Sequence, residues 1–200
     1  MFIVRKGRSL SQKQSKIIQA FEYALLHHIK TTQKGSQIPY ITHPLDVASI
    51  LMKNNASEEV IIAGLLHDVI EEENVELEEV KQQFGEKVAR LVDFATEPAE
   101  LRKGDRRKSW KARKQHTLDH LVLATQEEKL LSCADKLSNI RDSINDHKEQ
   151  GDKFWERFNS TFEQQRWYYQ SLCEVYLQGE GIGHYSVYKQ LKNCVAQLYG

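Results

Sequence analysis

The sequence predicts an all-α protein. Apolar residues recur at three- and four-residue spacing along almost the whole chain, and strand-like alternation is almost absent. Only three prolines and ten glycines punctuate 200 residues. A first helix is predicted from about Ser11 to Ile29, with Ile17, Ile18, Phe21, Leu25, Leu26 and Ile29 on its apolar stripe. Thr31 to Thr42 is polar, contains Gly35 and Pro39, and reads as a loop. Pro44 suits the first turn of a second helix, where its missing N–H is not needed, and that helix ends near Asn54-Asn55. A third runs from about Glu58 to Glu72. A fourth spans Leu77 to Thr96 with a break near Phe84-Gly85. Glu97 to Lys108 is charged and irregular. Helices follow over Trp110–Leu123, Glu127–Asn145, Phe154–Leu177 and Tyr185–Tyr199, the last two separated by glycines at 179, 181 and 183.

No internal repeat or low-complexity linker divides the chain, so residues 1–200 are read as one domain. Basic and acidic residues balance at 28 each, which gives no argument for a nucleic-acid partner. Cys133, Cys173 and Cys194 are odd in number and lack framework spacing, as expected of reduced thiols in a cytoplasmic protein. Arg5, Lys6 and Arg8 are not followed by an apolar run, so no signal peptide is expected. No stretch approaches the about 18 apolar residues of a membrane span.

The residues richest in chemistry are His67 and Asp68, adjacent in the run Ala63-Gly64-Leu65-Leu66-His67-Asp68-Val69-Ile70-Glu71-Glu72. An imidazole and a carboxylate side by side can reach one metal ion. Glu71 and Glu72 follow four residues later, one helical turn along, where carboxylates could handle protons. His43 projects from a helix start. Asp135 is a carboxylate within an apolar helical pattern, with Asn139 one turn on, and a buried carboxylate is costly unless paired or metal-bound. This nitrogen and oxygen set suits Mn²⁺, Fe²⁺ or Zn²⁺. Arg106, Lys111, Arg113 and Lys114 belong to a basic segment between the His-Asp and Asp135 helices, able to fold over the site and meet phosphate oxygens.

The order His…His-Asp…Asp resembles the signature of the HD phosphohydrolase superfamily, and the surrounding words resemble RelA/SpoT-type alarmone hydrolases. Pro39 to Ala48 is similar to their PYI-x-HP-x-x-VA segment, Ala63 to Glu72 to A-x-LLHD-x-x-ED, Phe84 to Thr96 to FG-x-x-V-x-x-LV-x-x-x-T, and Cys133 to Asp142 to LADKL-x-N-x-RD. The resemblance covers residues 20–145 and leaves a C-terminal helical extension from about 150 to 200. It implies an HD-domain helical bundle and a metal, most often Mn²⁺, held by His43, His67, Asp68 and Asp135. It implies water activation by Glu71 and Glu72, and substrate contacts from Lys34, Tyr40 and Asn139. The implied reaction removes pyrophosphate from the 3′ position of guanosine bisdiphosphates, (p)ppGpp.

Two departures keep other readings open. Glu72 stands where the family has Asp, and Thr32-Gln33-Lys34 where it has Arg-Arg-Lys. The alternatives are an HD enzyme for another nucleotide or phosphate monoester, and a non-catalytic nucleotide-binding module. The remaining features read as structural. Glu73 onward is a solvated acidic run. The aromatics from Phe154 to Tyr169 are core or a helix–helix interface. The C-terminal helices pack on the HD core or on a second copy of the chain.

Overall fold

The structure, a computed structural model, describes residues 12–33, 36–73 and 75–200, without the side chains of residues 12–15, 72, 73 and 102. Lys34 and the segment holding Arg5, Lys6 and Arg8 therefore lie outside the described residues. The fold is an all-α helical bundle with additional C-terminal helices and no β-sheet among the described residues.

Helix α1 (Gln12–His28) buries Ala20, Ala24 and His28, with Ile17, Phe21 and Leu25 half-buried. The predicted stripe is rotated: Ile18, Leu26 and Ile29 face solvent. Two alanines one turn apart let α1 approach the core closely, and larger side chains there would hold it off. After α1, Thr32 and Pro39 pair as an isolated antiparallel bridge, and the Tyr40 N–H donates to the Thr31 carbonyl at 2.8 Å.

Helix α2 (Thr42–Lys53) carries Pro44 in its first turn, as predicted. Helix α3 (Glu58–Leu66) is buried from Val60 to Leu66 and is packed by neighbours on several sides, which explains why it shows no polar face. The predicted continuation to Glu72 is interrupted at His67-Asp68 and resumes as α4 (Val69–Glu73). His67 keeps helical dihedrals, and its Nδ1 lies 3.0 Å from the Gly64 carbonyl, the group that the Asp68 N–H would take in a continuous helix. The imidazole thus competes with the backbone at that point.

Helices α5 (Leu77–Phe84) and α6 (Glu86–Ala95) are separated at Gly85, whose φ of 96° is a conformation that a side chain would strain. The charged segment beyond holds one short helix, α7 (Ala99–Arg102), before α8 (Trp110–Leu123). The spine is α9 (Gln126–Gln150), started by a capping box in which Thr125 and Glu128 satisfy each other's backbone N–H. It packs on α2, α3 and α6.

After a 3₁₀ turn (Gly151–Arg157), α10 (Phe162–Val175) and α11 (Ser186–Tyr199) return to the bundle. They pack on α8 and α9 respectively, burying Leu172, Val187, Leu191 and Val195. Of the aromatic run, Phe154, Tyr168 and Tyr169 are buried, and Trp155, Phe158, Phe162 and Trp167 are half-buried. Among the described residues no helix is long and apolar enough to cross a membrane, and all three cysteines are free thiols.

Candidate metal centre

Two helix ends and one helix interior deliver the site. His43 comes from the first turn of α2, His67 and Asp68 from the turn after α3, and Asp135 from the middle of α9. One nitrogen each from His43 and His67 and one oxygen from Asp135 lie within 4.8 Å of one another, close enough to hold a metal ion. Asp68 flanks this triad, with Oδ2 at 3.1 Å from His67 Nε2 and 3.6 Å from His43 Nε2. Asp135 Oδ1 stands 3.3 Å from His43 Nε2.

The orientation of each ring is fixed from behind. His67 Nδ1 faces the Gly64 carbonyl, so Nδ1 carries the proton and donates. His43 Nδ1 lies 3.2 Å from Ser138 Oγ. Both Nε2 atoms therefore turn toward the carboxylates and stand 3.2 Å apart. Two imidazole lone pairs at that separation repel unless a cation or a proton lies between them. A divalent ion fits this donor set, and outer hydrogen bonds of this kind are what orient metal-bound histidines. Burial opposes charging His67, but Asp68 outweighs it and raises the imidazole to about 9. Burial likewise opposes the Asp68 and Asp135 carboxylates, yet His67 beside Asp68 and Lys136 beside Asp135 hold both well below the usual range.

These residues open into a cavity of about 680 Å³. Tyr40, Glu71, Asn139, Arg106, Arg113 and Lys114 line it as well. The Tyr40 hydroxyl donates to Asp68 Oδ2 at 2.7 Å, and Asn139 Nδ2 donates to Asp135 Oδ1 at 2.5 Å. Glu71 accepts the backbone N–H of Glu97. The side chain of Glu72 lies outside the described residues.

The basic segment divides. Lys114 faces the cavity with its Nζ 5.2 Å from the Tyr168 ring centroid, and burial together with Lys136 lowers its amine to about 8. Lys111 is exposed, is absent from the cavity wall, and rests over Trp167 at 5.6 Å. Arg113 is only 4% exposed, and both terminal nitrogens of its guanidinium are spent on the protein, pairing with Glu97 at 3.0 Å and donating to the Arg106 carbonyl at 3.1 Å, while its Nε is buried without a hydrogen-bond partner.

Sequence reading passed over Lys136, whose ammonium lies 2.6 Å from Asp135 Oδ2 although it follows Asp135 directly in the chain. It also passed over Ser138, one turn beyond Asp135, and read Tyr168 as core or a helix–helix interface, whereas Tyr168 sits on the cavity wall as well. Spacing along α9 could have found Ser138. Nothing local marks Glu97, because its partner Arg113 comes from a separate segment.

Comparison with known proteins agrees with this geometry. A family model described as HD domain matches residues 20–163. A guanosine-3′,5′-bis(diphosphate) 3′-pyrophosphohydrolase from Aquifex aeolicus is 35% identical over 133 residues, 65% of this chain but 18% of that protein. The chain thus spans less than a fifth of that relative's length. The enzyme of the same name, MESH1, from Xenopus tropicalis is 34% identical over 136 residues, 66% of this chain and 72% of that one. A solved structure of a metazoan ortholog of SpoT that hydrolyses ppGpp superposes with a TM-score of 0.73 at 25% identity, covering 96% of this chain and 98% of the other. On its fold, its convergent histidines and carboxylate, and these matches, the chain belongs to the HD-domain family as a metal-dependent phosphohydrolase related to the RelA/SpoT and MESH1-type ppGpp hydrolases.

Proposed function

We propose that this protein hydrolyses (p)ppGpp, removing pyrophosphate from the 3′ position by attack of water. The observation that carries this reading is the convergence of His43, His67 and Asp135 on the wall of a cavity that also presents Glu71 and Lys114. His43, His67, Asp68 and Asp135 would hold a divalent ion, with Mn²⁺ the first choice and Fe²⁺ or Zn²⁺ compatible with the same donors. When bound, such an ion supplies Lewis acidity and lowers the pKa of water.

The chain's own residues do the rest. Glu71, with Glu72 beside it in sequence, accepts the proton of the attacking water. Tyr40 and Asn139 brace Asp68 and Asp135 through the hydrogen bonds already described, and their position on the wall lets them meet the nucleoside. Lys34 belongs to the same substrate-binding reading. Lys114 and Arg106 offer positive charge where phosphoryl oxygens gain negative charge. Lys111, on the outer surface, serves the approach of an anionic substrate and not its final seat. Three free thiols support a reducing, cytoplasmic setting.

The test is turnover of ppGpp with Mn²⁺ beside an Asp68→Ala control. The native protein is expected to form GDP and pyrophosphate, and the control neither. Native protein that binds metal yet leaves ppGpp intact would overturn the substrate assignment. Release of phosphate from a monoester instead would move the enzyme to another substrate within the HD family.

A further inference from the structure

The Glu71 carboxylate accepts the backbone N–H of Glu97, a residue in the irregular segment just past α6. That segment has no regular structure of its own until α7, so the direction of the Glu97 N–H depends on what anchors Glu97. The Glu97 side chain is held by Arg113 of α8, whose Nη1 lies 3.0 Å from each carboxylate oxygen. Nη2 of the same guanidinium donates to the carbonyl of Arg106. One buried cation therefore ties the segment after α6 and the basic segment to α8, and through the Glu97 N–H it reaches Glu71.

We propose that the Glu97–Arg113 pair is a positioning device that sets the Glu71 carboxylate for proton transfer, and that Arg113 is not a substrate ligand. The inference rests on the reading of Glu71 as the proton-handling group. Three acceptors held at once need a planar group with several donors, which arginine has and lysine lacks. The pair also resists rearrangement, because separating two buried partners leaves an uncompensated charge on each side. A phosphate clamp needs donors turned to solvent or substrate, whereas Arg113 is 4% exposed and spends both terminal nitrogens on protein oxygens, leaving only its Nε, which is buried, without a partner.

The experiment uses the full chain with Arg113→Lys and Glu97→Gln, and it has two arms. In the metal-free, substrate-free protein, the Glu71 carboxyl carbon is followed by NMR, assigned through its loss in Glu71→Gln, together with the Glu97 amide. Both resonances are expected to move in either variant while core amides such as those of Ala63 and Leu137 stay in place. With substrate and metal, kcat is expected to fall about ten- to hundredfold while KM stays within about twofold, the mark of a misplaced group and not a lost contact. The double variant should be no worse than the worse single one. A raised KM at unchanged kcat in Arg113→Lys would make Arg113 a substrate ligand and overturn the proposal. Unmoved Glu71 and Glu97 resonances in folded variants would overturn it equally. Should the native protein leave ppGpp intact, the substrate assignment falls, and the NMR arm still decides this one. Should Arg113→Lys fail to fold, Glu97→Gln carries the same test without removing the guanidinium.

Discussion

At Lys114, burial and the neighbouring Lys136 ammonium pull the amine from an ordinary 10.5 down to about 8. The sign follows from proton counting. Between about pH 8 and 10.5 the unfolded chain holds a proton that the folded chain has shed, so this residue's contribution to stability rises with pH across that window. Below 8 both states are charged, and the cost of burying the cation is constant. Activity moves the other way. If Lys114 meets phosphoryl oxygens as a cation, kcat/KM, which reports the free enzyme, should fall as pH rises through about 8. Lys114→Met should lower kcat/KM at neutral pH and remove that alkaline limb. A pH profile of the two proteins checks this, and an alkaline limb that survives in the variant would assign it elsewhere. Lys114 was legible in the sequence as one cation of a basic run, but its burial was not. The same run held Lys111 and Arg113, and only packing separates a cation on the cavity wall from one over Trp167 and one paired with Glu97.

Among the elements, the α2–α3 contact fixes the distance between the two histidines. Gly64 packs tightly against α2: a Cβ there would lie 2.5 Å from Leu51 Cδ1 and 3.4 Å from Val47 Cγ1. Its carbonyl also orients His67. Two effects oppose each other in Gly64→Ala. Helix propensity gains about 1 kcal/mol, while overpacking a filled core costs about 1–3 kcal/mol. Leu51 is fully buried and has little room to turn aside, so overpacking wins. The variant should be less stable by about 1 kcal/mol in urea unfolding and should bind metal more weakly, because the Gly64 carbonyl shifts with the backbone. Stability at or above the native value would mean that Leu51 yields. The helices themselves were largely legible: the break at Gly85, Pro44 in a first turn and the span of α8 all follow from local chemistry. The interruption at His67-Asp68 was not, because it depends on an imidazole reaching back to a carbonyl.

For the molecule as a whole, α10 and α11 complete the core and supply part of the site wall. Tyr168 of α10 lines the cavity, and α11 buries Val187, Leu191 and Val195 in packing on α9, the helix that carries Asp135. The Asn54 side chain at the end of α2 accepts the Val187 N–H at 2.9 Å, so α11 also secures the helix that bears His43. Truncation after Gln150 should therefore abolish cooperative unfolding and metal binding together, measured by calorimetry and metal content; a truncated chain that melts cooperatively with its metal retained would refute this. The sequence by itself determined the helical class, most helix boundaries and the residue types able to hold a metal. Those depend on period, on caps and turn residues, and on the chemistry of imidazole and carboxylate, all of which are local. Tertiary structure alone decided which face of α1 is buried, which cations of the basic run reach the cavity, and that Glu97 and Arg113 stand behind Glu71. Each of those depends on which segments far apart in the chain come within hydrogen-bonding reach, and spacing along a single segment carries no record of that.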